Sequence, residues 1–453
     1  MNRDRLNDQG GPTRAGAPGI SPRRRDDIIG ALRRGTVPAE GLDQLAVGLD
    51  RFADALGEEL DQVTGGGAVV KAVRGEYGSG KTFFTRHLAE TALRRGFATA
   101  EVQISETETP LHKLETVYRR TTESLRTASV APSAFRSVLD TWLYTIEEDA
   151  IDADPAIEQS EDRLVAATGE LLDTRLAEVS SSTPAFALAL RAYHRASGTD
   201  STLADGLAAW LAGQPHVAAS AKRAAGIKGD LDHFGAMSFL QGLLTVLRDA
   251  GHPGLLLVLD EVETLQRMRS DVRDKALNAL RQLMDEIDAG RYPGLYLVLT
   301  GTPAFYDGPN GVHRLPPLAQ RLDTPFMPDP RFDNPRAVQI RLPGFTQDSL
   351  TEVGIRVRDL YVGGRENTQR LVEKVSDAFI TDFSRAVAGE LGAKVGLAPR
   401  IFLRKLVDVL DRVDQFADFD PRRDYAVIVS EAELAVAGPR TDPDDIDLDL
   451  SDD

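Results

Sequence analysis

The apolar residues of the chain form short runs separated by stretches of helical periodicity. The runs at 68–73, 98–104, 255–260 and 294–300, with a shorter one at 338–342, are typical of buried strands. Between them, apolar residues recur every three to four positions, which predicts amphipathic helices. Strands that alternate with helices favour an α/β fold with a parallel sheet and helices on both faces.

This spacing divides the chain into six predicted segments. They are a disordered arm over 1–29, the first part of an α/β core over 30–110, a helical insertion over 111–250, the second part of the core over 251–343, a helical lid over 344–415 and a C-terminal extension with an acidic tail over 416–453. Gly, Pro and charged residues dominate the arm, and acids dominate the tail, so neither can bury much apolar surface.

A glycine-rich loop lies between the first strand and the next helix and fits the pattern G-x-x-x-x-G-K-[ST]. Its residues are Gly75, Glu76, Tyr77, Gly78, Ser79, Gly80, Lys81 and Thr82, with Phe83 following in the helix. Backbone amides in such a loop form an anion nest at a helix N-terminus. Lys81 would add charge at the β- and γ-phosphates, and Thr82 would offer its hydroxyl to Mg²⁺. The sequence therefore predicts a site for ATP and Mg²⁺.

Two adjacent acids, Asp260 and Glu261, follow the apolar strand 255–259. Ligands of open α/β sheets bind at the carboxyl ends of the strands. We expect Asp260 to hold Mg²⁺ through water, and Glu261 to polarise the attacking water as general base. Glu263, two residues further on, is expected to be a solvated or ion-paired helix residue.

A polar residue also ends the following strand, where Thr300 precedes Gly301, Thr302 and Pro303. Thr300 is the first candidate to contact the γ-phosphate or to orient the attacking water, and Thr302 is the second. The alternative is a threonine that only forms the turn.

The order of these parts resembles that of AAA+ ATPases, most closely the origin-recognition and STAND-related branch. The resemblance implies a P-loop NTPase of the ASCE type with a helical lid. Residues 318–322 are similar to the arginine-finger segment of that family, and residues 396–404 to its sensor 2 helix. The resemblance therefore implies a homo-oligomer in which Arg321, or alternatively Arg314, reaches the ATP of a neighbouring subunit. It also implies that Arg400 senses the γ-phosphate of the ATP bound to its own chain.

Three longer phrases, at 73–84, 102–111 and 301–308, are more distinctive. Together they resemble the BrxD type of ATP-binding protein from BREX bacteriophage-resistance systems, over roughly residues 30–415. The resemblance implies other defence-system proteins as partners, and it leaves DNA contact possible, direct or indirect. The long insertion and the short chain after the lid depart from the replication branch and disfavour direct DNA loading.

Composition narrows the functions further. The formal charge of −17 over 453 residues repels nucleic acid at long range, so DNA contact would require a local basic patch or an assembled oligomer. The absence of cysteine excludes disulfides and thiolate chemistry. No apolar run approaches the roughly 20 residues of a membrane helix, and no signal segment begins the chain. We therefore expect a cytoplasmic protein without membrane contact.

Together these features predict an ATP hydrolase that drives assembly or remodelling of an anti-bacteriophage complex acting on DNA. The alternative is a nucleotide-dependent interaction scaffold with negligible turnover, for which the acidic helical insertion offers a docking surface. A small-molecule kinase fits less well, because the sequence has no evident acceptor site.

Overall fold

The computed structural model describes residues 20–177, 179, 183–391 and 399–426. The described residues form two compact units. The sheet unit comprises residues 49–344, and the helical unit combines residues 20–48 with those described beyond 344. Most of the predicted arm, the start of the predicted sensor 2 segment and the acidic tail lie outside the described residues.

Parallel strands form the centre of the sheet unit. They are β1 Val69–Arg74, β2 Ala98–Gln103, β3 Leu255–Asp260, β4 Leu295–Gly301 and β5 Gln339–Arg341. The sheet has five strands in the order β2-β3-β4-β1-β5, and all pairings are parallel. Every residue of β3 and β4 is buried, as expected for a sheet covered on both faces. The predicted α/β class with a parallel sheet is confirmed.

Helices precede the first strand, lie between each pair of successive strands and follow the last strand. In chain order they are α1 Pro22–Arg33, α2 Asp50–Thr64, α3 Lys81–Arg94, α4 Leu114–Ser124, α5 Phe135–Ala153, α6 Glu161–Arg175, α7 Pro184–Ser197, α8 Ser201–Leu211, α9 Ala219–Ala224, α10 His233–Asp249, α11 Ser270–Asp288, α12 Pro303–Asp307, α13 Pro316–Leu322, α14 Gln347–Val362, α15 Thr368–Lys374, α16 Asp377–Leu391, α17 Pro399–Gln415 and α18 Pro421–Asp424. Within the described residues, none of them combines the length and apolarity needed to cross a membrane.

Two apolar cores cover the two faces of the sheet. Residues of α2 and α3 pack on one face, where Phe52 meets Phe84 edge to face at 5.5 Å. Residues of α4, α5, α10 and α11 contribute to the core of the other face. The helices between β2 and β3 converge on Phe239, whose ring contacts those of Tyr118, Phe186 and Trp210. The long segment between the two strands is therefore packed into the core of the sheet unit.

The helical unit corrects one predicted boundary. Helix α1 begins at Pro22, and its N-cap residue Ser21 accepts a hydrogen bond from the Arg24 amide at 3.3 Å. Ile28 and Ile29 are buried, and Arg33 at the end of α1 pairs with Asp411 of α17 at 2.7 Å. The disordered arm was predicted to reach residue 29. That boundary is wrong, because the apolar face of α1 is needed to complete the packing of this unit.

A buried ion pair fixes the centre of the sheet unit. Lys71 of β1 is 1% exposed and lies 2.5 Å from Glu59 of α2. Its ammonium also donates to the Ala337 carbonyl at 2.6 Å, and Glu59 accepts a hydrogen bond from the Tyr296 hydroxyl. All charges of this cluster are thus compensated inside the protein, as buried charges must be.

We predict that Lys71→Ala destabilises the sheet unit by about 3–5 kcal/mol, because it leaves Glu59 without its counter-ion. Urea denaturation followed by tryptophan fluorescence measures this, since both tryptophans, Trp142 and Trp210, are buried in the sheet unit. The control is Arg336→Ala, which breaks an exposed pair with Glu58 and should lower the midpoint far less. Equal midpoints for the two variants would contradict the assignment of Lys71 and Glu59 to a buried ion pair.

Candidate nucleotide-binding site

The loop after β1 turns through two glycines before α3 begins. Gly78 and Gly80 have φ angles of 77° and 93°, a left-handed conformation that glycine adopts without steric cost. Phe84 makes the first backbone hydrogen bond of α3, to the Gly80 carbonyl at 2.8 Å. The amides of residues 81–83 therefore have no carbonyl partner within the helix and can donate to an anion.

Lys81 is directed inward from the first turn of α3. Its ammonium donates to the carbonyls of Gly75 at 2.7 Å and Glu76 at 3.2 Å, and it lies 5.3 Å from the ring centroid of Tyr77. The side chain is buried. Burial lowers the pKa of Lys81, and the negative charge of Glu263 opposes that shift most strongly. Lys81 is thus a desolvated cation whose positive charge is directed at the loop.

The two predicted halves of the site meet at one edge of the sheet. The hydroxyl of Thr82 donates to a carboxylate oxygen of Asp260 at 3.1 Å. Thr82 follows β1 and Asp260 ends β3, and β4 lies between these strands. The parallel order brings their carboxyl ends together, as the sequence predicts. A hydroxyl beside a carboxylate supplies hard oxygen ligands of the kind that Mg²⁺ prefers.

Thr300, at the end of β4, lies between these two halves. It is fully buried, and its hydroxyl donates to Asp260 while it accepts a hydrogen bond from the Glu261 amide at 3.1 Å. A hydroxyl has one donor hydrogen, and Thr300 uses it on Asp260. The observed contacts orient the two acids, while the predicted contact with phosphate or water stays a prediction. The second candidate, Thr302, is the N-cap residue of α12.

Glu261 has a backbone conformation that is uncommon for a residue other than glycine, with φ of 59°. One oxygen of its carboxylate accepts a hydrogen bond from Gln103 at 2.9 Å. Gln103 ends β2 and stands opposite Asp260 in the β2–β3 ladder. Sequence reasoning missed Gln103, although a polar residue at a strand end was the signal that selected Thr300.

The loop and the acids together fit Mg-ATP. Within the described part of the chain, the buried Ser79 hydroxyl oxygen has no hydrogen-bond partner, so it can serve a phosphate oxygen. A Cβ on Gly75 would lie 2.3 Å from that oxygen, which accounts for glycine at the start of the loop. Phosphate could be held by the loop amides and Lys81, and Mg²⁺ by Thr82 and Asp260.

Comparison with known protein families identifies the family of the chain. Residues 20–428 match the model of the family described as BREX system ATP-binding protein BrxC/D. The chain belongs to this family. The resemblance to BREX ATP-binding proteins is thereby confirmed, although the description covers BrxC and BrxD alike and does not separate them. A search of curated proteins found no match. ATP binding within a BREX defence system is therefore the role that membership of the family supports.

The arginines expected to act between subunits of this BREX protein are engaged within the chain. Arg321 of α13 forms an ion pair with Asp285 of α11 and lies 3.7 Å from Asp288. Arg314, the alternative, pairs with Asp274 of the same helix at 2.9 Å. Arg400 is exposed and belongs to the helical unit, and its role stays a prediction.

Glu263 differs most from its expected environment. It lies in a 3₁₀ turn, Val262–Arg267, is 4% exposed, and has a carboxylate oxygen 4.0 Å from the Lys81 ammonium. The expectation of a solvated residue is wrong, because the turn folds Glu263 back towards the loop. The alternative of an ion pair holds. Burial raises the pKa of the Glu263 carboxyl to about 7, although Lys81 opposes the shift.

This raised pKa predicts that the contribution of Glu263 to stability falls as pH rises. The folded protein binds a proton at Glu263 more tightly than the unfolded chain, so the stabilisation is complete below about pH 4.5 and is lost as pH rises to about 7. Between these values, without nucleotide, the unfolding free energy of wild type should fall by about 3 kcal/mol relative to Glu263→Gln. Urea denaturation at several pH values measures the difference.

Glu58→Gln is the control for this experiment. Its hydrogen-bonded partner Arg336 holds the pKa of Glu58 below its usual value, so the difference between wild type and this variant should have the opposite sign. Parallel stability curves for wild type and Glu263→Gln would rule out an elevated pKa at Glu263.

Proposed function

We propose that this BREX ATP-binding protein is an ATP hydrolase whose site is formed by the loop 75–82 and the acids Asp260 and Glu261. The observation that carries the proposal is the 3.1 Å contact between the Thr82 hydroxyl and Asp260. It brings the phosphate-binding element and the acidic strand end together. Glu261, the adjacent acid, then lies beside the groups that would hold the phosphates.

Each residue has a separate role in this proposal. The loop amides and Lys81 bind the phosphates, and Mg²⁺, when held by Thr82 and Asp260, would neutralise phosphate charge. Glu261 acts as general base for the attacking water. Its hydrogen bond from Gln103 holds one carboxylate oxygen and leaves the other available to accept a proton. Thr300 keeps Asp260 and the Glu261 backbone in position.

Glu261→Gln should bind ATP with wild-type affinity but hydrolyse it about 10²–10⁴ times more slowly, because the amide cannot accept the proton. ATP affinity measured by calorimetry and phosphate release measured in parallel separate the two effects. Lys81→Ala is the matched control and should lose ATP binding itself. If wild type and Glu261→Gln released phosphate at the same rate, Glu261 would be removed from the mechanism.

We further propose that the protein works in the cytoplasm as a homo-oligomer with other defence-system proteins, and that any action on DNA comes through that assembly. Arg321 is the proposed finger that reaches the ATP of a neighbouring subunit. Its ion pairs with Asp285 and Asp288 must break before it can do so. On assembly, Arg321 would therefore exchange its carboxylate partners for a phosphate of the neighbouring subunit's ATP. This exchange couples hydrolysis to association.

Mixing two inactive variants tests this proposal. Lys81→Ala subunits retain Arg321, and Arg321→Ala subunits retain the loop, so a mixed oligomer contains some complete sites. Equal mixing at random should restore about a quarter of wild-type sites if Arg321 acts in trans. Mixing Lys81→Ala with Arg314→Ala tests the alternative finger. Phosphate release that stays at the level of the separate variants at every ratio would contradict trans action.

A nucleotide-dependent scaffold without turnover is the second candidate. The observation that favours it is the acidic C-terminal part of α5 and the residues after it, where Glu148, Asp152 and Asp154 are exposed. Such a surface could dock a basic partner. Phosphate release at background rates, with and without DNA and BREX partners, would support the scaffold, whereas turnover stimulated by a partner would exclude it.

A further inference from the structure

Glu263 is a buried acid beside the proposed phosphate site, and the mechanism above gives it no role. Apart from Lys81 at 4.0 Å, no cation is paired with it among the described residues. Neither carboxylate oxygen receives a hydrogen bond from another described residue. An ionised carboxylate in such a place is costly unless a neighbouring charge compensates it. Its compensation therefore depends on Lys81.

Lys81 is also the cation that a nucleotide requires. Its ammonium lies against the loop carbonyls of Gly75 and Glu76, where it can turn towards a phosphate. A bound phosphate and an ionised Glu263 would then share one positive charge. Two anions that share one cation in a desolvated site repel each other, and the weaker acid relieves the repulsion by taking up a proton.

The neighbouring acids Asp260 and Glu261 add to this repulsion. The charged and titratable groups near Glu263 are Lys81 and Tyr77 of the loop, Asp260 and Glu261 after β3, Tyr306 of α12, and Arg267 of its own turn. Arg267 donates a hydrogen bond to the Tyr77 hydroxyl at 3.5 Å. The hydroxyl of Tyr306 is buried without a hydrogen-bond partner in the described part of the chain.

We propose that Glu263 is a positioning residue for Lys81, and that its carboxylate takes up one proton from solvent when the phosphates of a nucleotide bind. The proton forms an O–H bond on the carboxylate, and no other bond changes. The ionised form holds Lys81 against the loop before binding, and the neutral form releases the full charge of Lys81 to the phosphates. This inference rests on nucleotide binding by the loop 75–82, but it does not require hydrolysis.

Calorimetry on the full-length protein tests the inference without turnover, with Mg-ADP as the probe. Titration at pH 8 in Tris and in HEPES, whose ionisation enthalpies differ, measures the protons taken up on binding. We expect uptake of about one proton at pH 8 and almost none at pH 6, where Glu263 already carries its proton. The affinity of wild type should therefore fall by about tenfold between pH 6 and pH 8.

Two variants assign the proton to its residue. Glu263→Gln should bind Mg-ADP with no proton uptake and with an affinity that changes little between pH 6 and pH 8. Glu58→Gln removes an exposed acid outside the site, also one negative charge, and should keep the uptake. If Glu263 served only in packing, its replacement would change the affinity for Mg-ADP or the stability of the protein. It would not change the number of protons taken up on binding.

The possible outcomes are distinct. Binding of Mg-ADP to wild type without uptake at pH 8 overturns the inference and leaves the nucleotide site intact. Uptake that persists in Glu263→Gln assigns the proton elsewhere and also overturns it. Failure of wild type to bind Mg-ADP at all would overturn the assignment of the loop itself. The wild-type titrations decide the first and third outcomes even if Glu263→Gln does not fold.

Discussion

The Thr82 hydroxyl and the Asp260 carboxylate lie 3.1 Å apart, although 178 positions separate them in the sequence. The sheet order makes this contact possible, because β1 and β3 run parallel on either side of β4 and end at the same edge. Gln103, which ends β2, donates a hydrogen bond to the Glu261 carboxylate, and Thr300 of β4 donates one to the Asp260 carboxylate. The helices of the insertion can therefore occupy the long interval between β2 and β3 without disturbing the site.

One buried lysine, Lys71, lies in β1, and another, Lys81, lies at the end of the loop that follows β1. The charge of Lys71 is fully compensated by its partners, whereas the charge of Lys81 is not. Lys71 has a carboxylate at 2.5 Å and a carbonyl at 2.6 Å. Lys81 has its carboxylate, Glu263, at 4.0 Å, and that carboxylate has no other partner among the described residues. Removal of one partner from a fully compensated pair destabilises the fold, whereas an incompletely compensated charge retains the capacity to bind a ligand.

The sequence was informative wherever a residue's role depended on its place along one strand or loop. The strand periodicity located the five strands of the described sheet, and the loop motif predicted the turn that precedes Lys81. Ser21 followed by Pro22 is a helix N-terminal signal. The polar residues around it nevertheless favoured the prediction of a disordered arm.

Other features depend on packing between distant segments, so the local pattern could not reveal them. Burial of Glu263 requires a 3₁₀ turn that folds back on the loop, whereas acids just beyond the end of a strand are usually solvated. The ion pairs of Arg321 depend on how α13 packs on α11. Membership of the BREX family supports ATP binding, while the roles of these particular residues are what experiments on the site must test.

The most direct test of the central claim is a crystal structure with ADP and Mn²⁺ in place of Mg²⁺, in which the anomalous signal locates the metal. The account predicts a metal peak within coordination distance of the Thr82 hydroxyl, on the side facing Asp260, with the β-phosphate against Lys81 and the amides of residues 78–83. Nucleotide and metal bound at another part of the chain, or a metal remote from both Thr82 and Asp260, would contradict it.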